Sequence, residues 1–186
     1  MQISMYSLSV PILDRTLGNL QNILDKASAY ATEKKIDETV LTSMRIFPDM
    51  LPMSRQVQIC ADFAKGAAAR LAGVDLPKYD DNEKTFAELK ARCQKTRDFL
   101  ATFKPEQFEG SETKIVTVPI GGEPHEFVGL PYLMGIPELL FSCGHRIRFA
   151  AQRGRANWQA GLCHALGQGQ RFRHHLTGEN FNEVRN

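Results

Sequence analysis

The chain is short of most residues and patterns that would announce a function. Its 186 residues hold one tryptophan and four cysteines, and Cys60, Cys93, Cys143 and Cys163 form no C-x-x-C pair. That spacing argues against the usual structural zinc sites and redox motifs, and it predicts reduced thiols in a cytosol rather than a disulfide framework. No apolar run approaches the length needed to cross a bilayer. The opening MQISMYSLSVPILDR lacks the basic and continuously apolar parts of a secretory signal, so a cytoplasmic location is expected. Histidine is scarce where a metal would need it: His125 is the only one before Gly144. Gly167-Gln168-Gly169 lacks the lysine and strand context of a phosphate loop, and no serine, cysteine or histidine grouping indicates a nucleophile.

What is present is a set of amphipathic helices. Hydrophobic residues make up 42% and charged residues 24%, the balance of an ordinary globular protein, and the length suits one domain. Val10, Leu13, Leu17, Leu20, Leu24, Ala27 and Ala31 recur at helical spacing, with Ser9 as the expected cap and Pro11 in the first turn. Asp37 is a good N-cap for a short helix that should stop near Phe47, before Pro48. Ser54 is the expected cap of a third helix with the stripe Val57, Ala61, Ala64, Ala68 and Leu71. The run Gly66 to Ala69 permits close approach of a neighbour, and Gly73 ends the helix. Phe86, Leu89, Cys93, Thr96, Leu100 and Phe103 mark a fourth helix, with Glu83, Lys84, Glu88, Lys90, Lys95 and Arg97 on its expected solvent side. KIVTVPIGGEPHEFVG alternates about Gly121-Gly122 and reads as a β-hairpin or extended loop pair, after which Pro131 can open a last helix whose stripe breaks up beyond Phe141. Each stripe needs neighbours to bury it. The predicted fold is therefore all-α, an up-and-down four-helix bundle with a short β-hairpin or extended loop before the last helix and an irregular tail.

The phrases SMYSLSVP, LPMSRQVQICADFAKGAAARLAGV and KTFAELKAR resemble a bacterial family of unknown function within the DinB/YfiT-like superfamily of four-helix bundles. The resemblance covers about residues 1–134. It implies the bundle fold but no particular activity. Other members of that superfamily include metal-dependent thiol transferases and isomerases that hold a divalent metal on three histidines. The resemblance carries that triad to no residue here, so no metal and no cofactor is expected.

The last quarter differs in kind. Residues 1–143 carry 16 Lys+Arg and 19 Asp+Glu, a net charge of −3, whereas 144–186 carry 7 Arg, no Lys and 2 Glu, a net charge of +5. The expected division is a DinB-like helical domain over 1–143 and an atypical, poorly ordered basic tail over 144–186. In the family that the chain resembles, the final helix continues with words like NFYFHVxTAY and RHNGV, which are absent. Codon degeneracy allows Glu138–Ile147, read one base later, to give NFYFHVATAY, and Ala150–Gly154 to give RHNGV. A slip of the reading frame near Met134 is therefore expected, and it accounts for an arginine-rich, lysine-free ending. A bundle short of one proper helix leaves apolar stripes uncovered, which favours instability or pairing with a second chain.

Arg55, Gln58, Asp62 and Lys65 are spaced three, four and three apart, along one flank of the third helix. Gln58 and Asp62 could orient a small ligand there while Arg55 holds an anion, with Tyr6 at the same mouth. The bland alternative is a polar flank tied up in internal ion pairs. Cys143-x-His145 and Cys163-His164 match no usual zinc spacing, and Cys60 and Cys93 read as packing thiols. The functional expectation is a small-molecule-binding bundle without a metal site. A non-catalytic homodimeric interaction module is the alternative. A nucleic-acid arm in the tail ranks last, since the frame argument explains the same composition without any function.

Overall fold

The computed structural model describes residues 4–136 apart from Ile46 and Gly121. The expectations for the tail, its cysteine–histidine pairs, its nucleic-acid arm and the frame beyond 136 lie outside the described residues.

The first helix, α1, spans Met5–Lys34, one turn longer at its start than Ser9 and Pro11 suggest. Ser4 is the N-cap, forming a reciprocal capping box with Ser7. Ser9, expected to cap, is buried and donates its hydroxyl to the Met5 carbonyl at 2.6 Å. Pro11 therefore sits inside the helix and forgoes one backbone bond. The left-handed Lys35 ends α1. Asp37 caps α2, Glu38–Ser43, by accepting from the Thr39 N–H at 2.8 Å; the helix stops at Ser43, short of Phe47. The third helix, α3, spans Met53–Ala72 and follows Pro52, so Ser54 lies within its first turn and makes no cap. Gly73, at φ 75°, closes it as expected. The fourth, α4, spans Phe86–Ala101 with a Thr85–Glu88 capping box. A 3-10 turn, Pro105–Phe108, leads to the antiparallel hairpin of β1, Ile115–Ile120, and β2, Glu123–Val128, in which Ile120 pairs with Glu123 across a two-residue turn. A final helix, α5, begins at 129 and is described to 136.

The stripes read from the sequence form the core. Leu17, Leu24, Ala61, Ala68, Leu71, Phe86, Leu89, Cys93 and Leu100 are all buried, and so is the small run Gly66 to Ala69. α1 runs antiparallel to α4: Asp14 meets Arg97, Gln21 meets Gln94, and Asp25 meets Lys90. α3 runs parallel to α4. Gln58 bonds Glu83 just before α4 begins, Asp62 bonds Arg92 within it, and Leu71 meets Lys114 beyond its end. The helical bundle with its hairpin is as expected, but its order is not up-and-down throughout: the successive helices α3 and α4 are parallel, which stripe spacing does not encode. The parallel pair requires the segment 73–85 to carry the chain back along the 20 residues of α3, about 30 Å, which an extended chain of that length covers. We call this segment the strap.

At the other end of the bundle Tyr6, Phe99, Phe103 and Phe108 meet edge to face, with centroids 5.0–5.8 Å apart. The hairpin turns Val116, Ile120 and Phe127 inward. Phe127 stacks on Tyr132 of α5, whose hydroxyl accepts from Arg70 at 3.2 Å. Gly129, where α5 starts, lies so close to the Ser111 carbonyl that a Cβ would collide with it.

Candidate functional site

The polar flank of α3 is assembled as the spacing suggests, but the strap covers it. Arg55 donates to the Gln58 amide oxygen at 3.1 Å and pairs with Asp81 of the strap. Gln58, buried, donates in turn to Glu83 at 2.9 Å. Asp62 accepts from Lys65 at 2.9 Å and from Arg92 of α4 at 2.8 Å. Arg92 is the hub. Its side chain is 1% exposed, and it bonds Asp62, Asp81 at 3.0 Å, Glu83 at 2.9 Å and the Asp80 carbonyl at 2.9 Å. Its Nε is buried without a hydrogen-bond partner. Tyr79 completes the arrangement. The Lys65 ammonium lies 3.7 Å and the Lys95 ammonium 4.3 Å from its ring centroid, with the Arg92 guanidinium farther out at 5.4 Å.

Electrostatics follow from this geometry. Burial works against an ionised Asp81, but the hydrogen bond from Arg55 and the charges of Arg55 and Arg92 hold its carboxyl below the ordinary range. Burial pushes the Tyr79 hydroxyl up. Burial also pushes the Cys93 thiol up to about 11, so this cysteine is a neutral core group.

Tyr6 is not part of the constellation. It packs on Phe108 at the far end of the bundle, because α1 runs antiparallel to α3 and its start lies beside the end of α4. Arg92, Tyr79, Asp81 and Glu83 are the participants that sequence reasoning missed. Glu83 and Lys95, expected on a wet helix face, belong to the network, and Glu83 precedes α4 rather than lying on it. One signal for Arg92 was available: it falls three residues after Leu89 and four before Thr96, in step with the buried stripe.

On roughly the opposite side of α3, at ~100° per residue, lies a second feature. Leu13, Thr16, Leu17, Asn19, Leu20 and Ile23 of α1, with Cys60 and Ala64 of α3, line an apolar groove of about 210 Å³. No described residue from another element lines it. Among the described residues no group of three His, Cys, Asp or Glu side chains could hold a metal ion, and the only histidine is His125 on β2. Nor is any described helix long and apolar enough to cross a membrane.

A family model described as "Domain of unknown function (DUF1993)" matches residues 5–143, most of the chain. The chain belongs to this family. A solved structure agrees with the assignment: the crystal structure of a DinB family member protein from Shewanella denitrificans is 33% identical, with a TM-score of 0.69, covering 82% of this chain and 88% of that one. No curated protein matches. The DUF1993 domain is thus an uncharacterised DinB-like bundle, and the similarity expected from SMYSLSVP and the α3 phrase is shown.

Proposed function

We propose that this DUF1993 domain is a cytoplasmic binding protein that takes a small, mostly apolar molecule in the groove between α1 and α3 without a bound metal. The groove itself supports the reading. It has walls of Leu13, Leu17, Leu20 and Ile23 and only Thr16, Asn19 and Cys60 to orient a ligand. At about 210 Å³ it lies below the roughly 300–1,000 Å³ of sites for drug-sized ligands, so a small occupant is favoured. The described residues offer one histidine, too few for the triad of metal-dependent DinB relatives.

A second reading, a homodimer closed across the same face, is favoured by the rim, where Ile12 is 37% and Ile23 56% exposed. Light scattering behind size exclusion, binding of a fluorescent apolar probe, and elemental analysis separate the readings. The first expects a metal-free monomer that binds the probe, with binding lost in Ile23→Asp. The second expects a dimer that Ile23→Asp splits. Stoichiometric divalent metal, or probe binding unchanged by Ile23→Asp, overturns the first.

A further inference from the structure

The charges beneath the strap are divided unevenly between the helices and the strap itself. The cations stand on helices: Arg55 and Lys65 on α3, Arg92 and Lys95 on α4. Of the carboxylates that meet them, only Asp62 belongs to a helix, and Asp81 and Glu83 belong to the strap. Lifting the strap leaves four fixed positive groups facing one carboxylate, and such a cluster attracts an anion.

No residue of 73–85 is buried, and Val74 and Leu76 are exposed, so the strap meets the α3–α4 face through polar contacts of Tyr79, the Asp80 carbonyl, Asp81 and Glu83, while its end at Lys84 and Thr85 is tied to Thr42 and Glu88. Detaching it withdraws no buried apolar side chain of its own from the core. Meanwhile Arg92 directs Nη2 at Asp81 and Nη1 at Glu83, and Arg55 directs Nη1 at Asp81, charge-assisted contacts of the kind that guanidinium groups make to phosphate oxygens. The buried Arg92 Nε finds no acceptor, so the strap leaves part of the guanidinium's donor capacity unused.

We propose that the α3–α4 face under the strap is a site for a phosphate group, and that Asp81 and Glu83 are its built-in occupants, displaced when the anion binds. Arg92 and Arg55 hold the phosphate oxygens, Gln58 donates through the amide that now serves Glu83, and Lys65 supplies charge from the side. The proposal is independent of the α1–α3 groove.

The test uses the full chain and inorganic phosphate, with sodium chloride at matched ionic strength as the control. Asp81→Asn with Glu83→Gln removes the competing charges and keeps the side-chain shapes. Titration calorimetry is expected to show phosphate binding at least about tenfold tighter in this variant than in the wild type, as expected when a charged competitor is removed from an arginine fork. Adding Arg55→Gln should cancel the gain. Equal affinities, or a gain that persists without Arg55, overturn the proposal. In the wild type, hydrogen exchange of 73–85 should rise several-fold in saturating phosphate while α3 and α4 stay protected. An exchange rate that does not respond to phosphate overturns it as well, even if the double variant fails to fold.

Discussion

Replacing Arg92 by methionine tests the central electrostatic argument, because it keeps the length and apolar stem of the side chain and removes the guanidinium. The arginine side chain is 1% exposed and bonds three carboxylates and a carbonyl. Removing one partner of a buried ion pair costs about 3–5 kcal/mol, because the other charge is left desolvated. Here the penalty is uneven. Asp62 and Asp81 are 38% and 36% exposed, and they keep Lys65 and Arg55, so water and those cations recover much of their loss. Glu83, at 13%, keeps only the Gln58 amide and bears the main cost. The expected total is about 2–3 kcal/mol, a large part of the ~5–15 kcal/mol that stabilises a domain. In urea, with a slope of about 1–3 kcal/mol per molar, the midpoint should fall by roughly 1–2 M at unchanged slope. Arg92→Lys keeps the charge but loses the fork, and should cost about 1 kcal/mol. A midpoint for the methionine variant within about 0.2 M of wild type refutes the reasoning. So does strict additivity of Arg92→Met with Glu83→Gln, since residues sharing one network should couple by at least about 0.5 kcal/mol.

Three further outcomes are expected. Gly129→Ala should lower stability by about 1–3 kcal/mol or more, because its Cβ meets the Ser111 backbone rather than a yielding side chain; an unchanged melting temperature contradicts this. Hydrogen bonds from the Lys84 and Thr85 backbone N–H groups hold the Glu88 carboxyl below its ordinary range. Its contribution is therefore complete above the unfolded value of about 4.3 and is lost as pH falls through the lower folded value; Glu88→Gln should be less stable than wild type near pH 7, and the gap should close on acidification below about pH 4. With its thiol pushed up to about 11 by burial, Cys93 should resist disulfide-exchange reagents at pH 8 in the native protein and react only as the chain unfolds, and fast native labelling mapped to Cys93 contradicts the packing assigned to α4.

The helices were legible because apolar residues at spacings of three and four leave little choice of face. Phe86, Leu89, Cys93, Thr96 and Leu100 are all buried in the structure. Two caps were placed wrongly for a shared reason. Ser9 and Ser54 are good cap residues, but each lies inside its helix, and packing extends the helix past the propensity signal: Met5 and Val10 are buried around Ser9. The hairpin was legible from alternation and a Gly-Gly turn. Half of the polar cluster was legible too, since α3 carries Arg55, Gln58, Asp62 and Lys65 on one side. The other half was not, because it depends on the direction of α4. A stripe fixes which face of a helix is buried and says nothing about whether the helix points up or down. Only a parallel α4 brings Arg92 level with Asp62 and lays Asp81 and Glu83 over Arg55 and Gln58.

That direction also explains why the cluster is charged at all. Antiparallel helices need only a short turn, whereas a parallel pair needs a connection as long as the helix. The connection lies on the surface and must bring its backbone across two helix flanks without burying it, so polar side chains are the compatible solution on both sides. Tyr79, Asp81 and Glu83 from above, and Arg55, Lys65, Arg92 and Lys95 from below, meet that condition. A clasp and an occupied anion site are built from the same atoms, but they respond oppositely to neutralising the strap. A clasp only loses stability when Asp81 and Glu83 become amides. A site loses the same stability and gains affinity for phosphate, because the groups that held the carboxylates are left fixed on two helices with their donors unspent.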